Sequence, residues 1–217
     1  MPGDTLKVAL IGGTMFLKTF KPLVVTYYSD LIRDCGVNHL VTLPDGGRMA
    51  FAKGYPQVEA EIESSLGDGP LVLIAHSQGA YYAVHYAATH TNVCEIILMA
   101  GPMQGTLLAW PAKLVPAVAS WLFPAALDMC PGSDTVKMLN QELAELADRI
   151  TVIRCGRIDW LVWPITSSHV DGARHHFLPG HHHVNMVRAE MTVEVIGKII
   201  ADASANALRV IHPHTAA

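Results

Sequence analysis

Residues 70–79 read Pro70-Leu71-Val72-Leu73-Ile74-Ala75-His76-Ser77-Gln78-Gly79. Pro70 to Ala75 is an unbroken apolar run, which marks a strand covered on both faces rather than one with a wet side. From Gln78 to His90 the residues Ala80, Ala83, Val84, Ala87 and Ala88 recur at helical spacing. Ser77 therefore stands on the turn between a buried strand and a helix, with small residues, Ala75 and Gly79, two positions to either side. That context lets strand and helix pack closely and lifts the hydroxyl above the sheet edge. The helix behind it turns free N–H groups and the positive end of its dipole toward a developing anion. A serine capping a helix beside a glycine would look the same over five residues. The flanking strand and helix make Ser77 a candidate nucleophile and the Gln78 N–H a candidate oxyanion donor.

The same alternation extends outward. Short apolar runs at 8–11, 39–43, 93–100, 150–155 and a weaker one at 174–178 are separated by helical patterns at 22–35, 56–66 and about 188–202. Strand and helix taking turns predict a doubly wound, mostly parallel sheet of about six strands with helices on both faces, within one domain spanning 1–217. The last dozen residues read as a loose tail. Composition agrees: 217 residues, 51% hydrophobic and only 16% charged, suit one well-buried α/β domain. A formal net charge of −4 with no run of Lys or Arg argues against a nucleic-acid partner. The four cysteines (Cys35, Cys94, Cys130, Cys155) are scattered without C-x-x-C spacing, as expected of reduced thiols. Met1 to Asp4 carries no basic start and Val8 to Ile11 is too short for a signal core, so the expected location is cytoplasmic.

One stretch breaks the rhythm. Residues 105–145 separate two strands by more than an ordinary crossover, and 107–127 is almost wholly apolar, holding Leu107, Leu108, Trp110, Leu114, Val115, Val118, Trp121, Leu122 and Phe123. Its length approaches that of a membrane span. Pro111, Pro116, Pro124 and Lys113 interrupt a regular spanning helix, so 105–145 is expected to form a cap or lid, with 107–127 available for transient contact with a membrane or lipid surface.

Acyl chemistry at Ser77 needs a second oxyanion donor, an acid and a base. The loop Gly12-Gly13-Thr14-Met15 follows the first strand, and either Gly13 or Thr14 could donate its N–H, with Met15 close enough to line the substrate site. The acid belongs after a late strand and the histidine near the chain end. Asp159 follows the run 150–155 through Gly156-Arg157-Ile158, whereas Asp128 and Asp134 fall in the expected cap and Asp171 precedes a strand. Gly180-His181-His182-His183-Val184-Asn185-Met186 follows the sixth run and offers three histidines. His169, His175 and His176 stand nearby, but consecutive histidines point in different directions and no H-E-x-x-H or His/Cys spacing completes a ligand set, so neither a metal nor a cofactor is expected.

Taken together, these pieces resemble the minimal bacterial lipases of the α/β-hydrolase superfamily, which carry an A-H-S-x-G elbow. The likeness covers the elbow, Pro131-Gly132-Ser133 with Leu139-Asn140, and most of Ile150 to Met186. In those lipases the acid is followed by a D-G-A-R-like turn, a strand, and G-x-G-H with a small or polar residue and two aliphatics. Counting from Asp171-Gly172-Ala173-Arg174, the resemblance implies His183 as the base, followed by Asn185-Met186-Val187. It also implies an α/β-hydrolase fold and a Ser77–His183–Asp159 serine hydrolase working through an acyl-enzyme. Two features depart from the pattern: Ile11-Gly12 replaces a histidine-glycine pair, and 107–127 is longer than a minimal lipase needs. With Trp110, Trp121 and Phe123 as apolar substrate contacts, the expected substrate is a small-molecule carboxylic ester or acyl compound with an apolar acyl or alcohol part, of open chain length. An acyltransferase or thioesterase would use the same three residues, and a non-catalytic binding protein could share the scaffold.

Overall fold

The computed structural model describes residues 5–14, 21–156 and 159–211. In chain order the elements are β1 (Lys7–Ile11), α1 (Lys21–Tyr27), α2 (Ser29–Asp34), β2 (His39–Val41), α3 (Phe51–Leu66), β3 (Leu71–His76), α4 (Gly79–Thr89) and β4 (Val93–Met99). They continue with α5 (Pro111–Leu114), α6 (Pro116–Leu122), α7 (Ala125–Asp128), α8 (Asp134–Leu146), β5 (Ile150–Cys155), β6 (Arg174–Leu178) and α9 (Glu190–Ile211). The strands form one sheet in the order β2-β1-β3-β4-β5-β6, and every neighbouring pair is parallel.

Successive residues of a strand point to opposite faces, and both faces are apolar here. On β3, Leu71, Leu73 and Ala75 enter a cluster shared with Val58 and Ile62 of α3, Val84 of α4 and Leu139 and Leu143 of α8. Val72 and Ile74 enter the opposite cluster, with Val24 of α1, Leu31 of α2 and Ile196 of α9. Burial on both sides explains why the strands read as continuous apolar runs. The chain leaves β1 toward β2 and returns on the other flank at β3, so the crossovers part between β1 and β3. In an open parallel sheet the carboxyl ends at such a switch point frame a crevice. The loop from Gly12 to Thr14 and the turn at Ser77 are the two sides of that crevice.

The expected elements are present with shifted edges. The helix expected from residue 56 begins at Phe51 and carries Pro56 inside it. An interior proline normally ends a helix, but Phe51 and Tyr55 are buried against Tyr82 and His85, and that packing outweighs the lost hydrogen bond. The single helix expected over 22–35 is split at Tyr28. The closing helix reaches Ile211, so the first half of the expected loose tail is helical backbone.

The long apolar stretch folds as short pieces. A 3-10 turn at Leu107–Ala109 leads into α5 and α6, which are broken apart at Val115 (φ −134°, ψ 60°), and Phe123 (φ −151°, ψ 70°) ends α6. Among the described residues no helix is long and apolar enough to cross a membrane. By contrast α8 buries Val136, Leu139, Leu143 and Leu146 in the core beside α4. It is the ordinary crossover between β4 and β5, and the irregular part lies between β4 and Ser133.

Candidate active site

The turn that carries Ser77 is held in an uncommon conformation. Ser77 has φ +56°, the left-handed region, where a non-glycine residue costs about 1–2 kcal/mol. Its surroundings enforce this. A Cβ on Gly79 would lie 2.5 Å from the Ile11 carbonyl oxygen and 2.6 Å from that of Gly12, so only glycine lets α4 start this close to β1. The Ser77 N–H is held by the Met99 carbonyl at 2.9 Å. His76 and Gln78 are buried on either side, whereas Ser77 between them is partly open.

The loop after β1 rests directly on this turn. A Cβ on Gly13 would come within 2.8 Å of the Ser77 Cβ and 3.2 Å of the His76 carbonyl oxygen. The Thr14 hydroxyl donates to the Gln78 side-chain carbonyl, fastening the loop to the elbow. Either Gly13 or Thr14 was expected to supply an oxyanion donor, and the two differ here. The Gly13 N–H is given to the Tyr28 hydroxyl at 3.1 Å. Among the described residues no acceptor takes the N–H of Thr14 or of Gln78.

In the segments that follow β5 and β6, the His183 Nδ1–H donates to Asp159 Oδ2 at 3.0 Å, with both side chains almost fully buried. Asp159 Oδ1 accepts the N–H groups of Leu161 (3.1 Å) and Val162 (2.9 Å), which fix the carboxylate. Burial pushes the Asp159 carboxyl up, but the His183 hydrogen bond and charge, the Val162 N–H and the Cys155 thiol outweigh it. The group is held below its ordinary value and stays ionised. That bond also commits Nδ1 of His183 as donor and leaves Nε2 as the nitrogen able to take a proton.

Neither neighbouring histidine shares this pairing. His181 turns its Nδ1 to the Pro179 carbonyl, and His182 receives the Val184 N–H. The competing acids also have other partners. Asp128 accepts the Phe51 N–H at the start of α3 and the Thr135 hydroxyl; Asp134 and Asp171 are fully exposed, beside Lys137 and His169. Among the hydrogen bonds of the described residues, none joins Ser77 Oγ to His183 Nε2. The His183 ring lies 4.9 Å, centre to centre, from that of His76, the residue before the serine.

Of the apolar contacts expected for substrate, Met15 lies outside the described residues. Trp110 and Trp121 are 50% and 80% exposed and Phe123 is half-buried. Their segment is anchored at both ends to loops of the crevice. The Leu107 N–H donates to the Trp163 carbonyl and the Thr106 hydroxyl to that of Leu161, just beyond Asp159. Arg48 donates to the Leu122 carbonyl, one residue past Gly47, whose missing Cβ makes room for the Gln78 side chain. A cleft of about 500 Å³ that the sequence did not suggest lies beside the histidine loop, with Trp160, Phe177, Pro179 and Val184 in its walls. Tyr27, Tyr28 and His76 also engage the site, and only His76, inside the elbow motif, stood near any signal in the sequence.

No family model matches the chain, and neither does any curated protein. Solved structures do match. A carboxylesterase of the thaumarchaeon Nitrososphaera gargenis aligns with TM-score 0.63 and 15% identity over 94% of this chain and 93% of its own. This is an α/β-hydrolase fold. Est1E of Butyrivibrio proteoclasticus shares it with TM-score 0.59 and 12% identity, over 93% of this chain and 90% of that one. The phospholipase PlaB of Legionella pneumophila matches with TM-score 0.61 and 10% identity over 96% of this chain, which spans 64% of the phospholipase's length. At these identities the likeness is one of fold.

Proposed function

We propose that this α/β-hydrolase-fold protein is a serine hydrolase of carboxylic esters, acting through Ser77, His183 and Asp159. The observation that carries the reading is the buried Asp159–His183 pair after the carboxyl ends of β5 and β6, with the His183 ring 4.9 Å from that of His76, the residue before a serine held at φ +56°. In the first step His183 Nε2 takes the Ser77 proton as Oγ bonds to the ester carbonyl carbon. The resulting oxyanion lies against the N–H groups of Gln78 and Thr14. Collapse breaks the bond to the alcohol oxygen, which leaves with the proton from His183. Water then repeats the sequence on the acyl-enzyme and releases the acid. Asp159, kept ionised, holds the histidine tautomer and stabilises the imidazolium. The Ser77–His183 hydrogen bond belongs to the substrate complex, where catalytic hydrogen bonds tighten.

An apolar acyl or alcohol group suits the surroundings. Trp110, Leu114, Val118 and Trp121 are exposed on a segment with no acidic residue between 107 and 127. The same surface suits substrates presented from a lipid surface, through contact made by 107–127. The decisive test is turnover of short p-nitrophenyl esters by the native protein and Ser77→Ala, with fluorophosphonate labelling alongside. Loss of both turnover and labelling in the variant is expected. Equal turnover in the two proteins would remove Ser77 from the mechanism.

A further inference from the structure

The side chains of Tyr28 and His76 are both buried and lie within hydrogen-bond distance of each other, Tyr28 packing in the apolar cluster with Val24, Leu31 and Ile74. The Gly13 N–H donates to the Tyr28 hydroxyl at 3.1 Å, and that hydroxyl lies 2.9 Å from His76 Nδ1. His76 Nε2 lies 3.0 Å from the His183 carbonyl oxygen. The directions follow from chemistry. A carbonyl only accepts, so Nε2 of His76 carries a proton. Burial, followed by the nearby His183, pushes the His76 imidazole down to about 3, so the ring is neutral and Nδ1 must accept. The Tyr28 hydroxyl is therefore donor to His76 and acceptor for Gly13. Next to it, the Tyr27 hydroxyl donates to the Val184 carbonyl at 2.7 Å, and Arg188 donates to the Thr26 and Tyr27 carbonyls.

Two adjacent tyrosines thus reach the oxyanion loop, the elbow and the histidine loop, which come from three separate parts of the chain. Gly13 rests on the Ser77 Cβ, so whatever fixes Gly13 also fixes where the Thr14 N–H points. The main chain of His183 hangs from the residue that precedes Ser77, so base and nucleophile share one support. A phenylalanine at 28 would fill the same apolar space, but it would leave the Gly13 N–H and His76 Nδ1 without partners.

We propose that Tyr28 and His76 are positioning residues of the acyl transfer, holding the oxyanion loop and the His183 main chain in register with Ser77. This rests on the serine-hydrolase reading above. The test compares Tyr28→Phe, His76→Gln and His76→Phe with the native protein and Ser77→Ala, measuring kcat and KM per fluorophosphonate-titrated site and the thermal midpoint. Misplacing reacting groups by about 1 Å costs up to roughly 100-fold in rate, so Tyr28→Phe and His76→Phe are expected to lower kcat about 10- to 100-fold with KM within about twofold. His76→Gln keeps a donor for the His183 carbonyl and is expected to recover most of the rate lost in His76→Phe.

A purely structural role predicts lower thermal midpoints with kcat per titrated site unchanged, and that result would overturn the proposal. If Tyr28→Phe does not fold, the two His76 variants decide. Failure of both phenylalanine variants to fold would count against positioning, since the Tyr28–His76 pair would then be a stability element. Turnover that survives Ser77→Ala would defeat the serine-hydrolase reading itself. Turnover that needs Ser77 but ignores Tyr28 and His76 would defeat only this inference.

Discussion

Acid should weaken this fold through His76, and the size of the effect follows from its burial. Desolvation is the main cause that drives the imidazole from its ordinary 6.5 down to about 3 in the folded protein. Between those values the unfolded chain binds a proton that the folded chain refuses, so stability falls as pH falls. The contribution is fully present above the unfolded value of 6.5 and is lost progressively toward 3. Integrating the proton difference from about pH 7 to about pH 5 gives a loss of about 2 kcal/mol from this one group. Urea unfolding at those two values, with the native protein and His76→Gln side by side, isolates it. The amide does not titrate, so the native protein should lose about 2 kcal/mol more than the variant over the interval. Parallel losses in the two proteins would show that His76 is protonated in the folded state. The hydrogen-bond directions assigned to Tyr28 and His183 would then fail as well.

Three further outcomes are expected. Asp159→Asn should lower kcat by roughly 10³- to 10⁴-fold, since an amide no longer enforces the His183 tautomer, as read by ester turnover. Gly79→Ala should destabilise the protein by about 1–3 kcal/mol in urea unfolding, because its Cβ would fall 2.5 Å from the Ile11 carbonyl oxygen; an unchanged midpoint would mean that β1 and α4 can part. Replacing Trp110 and Trp121 with Ser should leave the urea midpoint within about 0.5 kcal/mol, as for other surface sites, and reduce sedimentation with phospholipid vesicles; undiminished vesicle binding would remove lipid contact from 107–127.

The outline of the sheet was legible because parallel strands buried on both faces write themselves as unbroken apolar runs, and because helices such as α4 and α8 carry their own periodicity. Ser77 was legible for a related reason: a sharp turn from strand to helix needs small neighbours, and Ala75 and Gly79 are local features. Helix ends were less so. Pro56 signals a boundary on its own, yet the packing of Phe51 and Tyr55 on Tyr82 carries α3 past it.

Local pattern determined the fold class, the candidate nucleophile and the short set of acids and histidines around it. Tertiary structure decided which members of that set meet. His183 rather than its two neighbours lies against Asp159, and the Gly13 N–H is given to a tyrosine fifteen residues away. It also brought Tyr28 and His76 to the site. The physical reason is that hydrogen bonds between distant segments depend on where the sheet places its strand ends, and no periodicity along the chain encodes that placement.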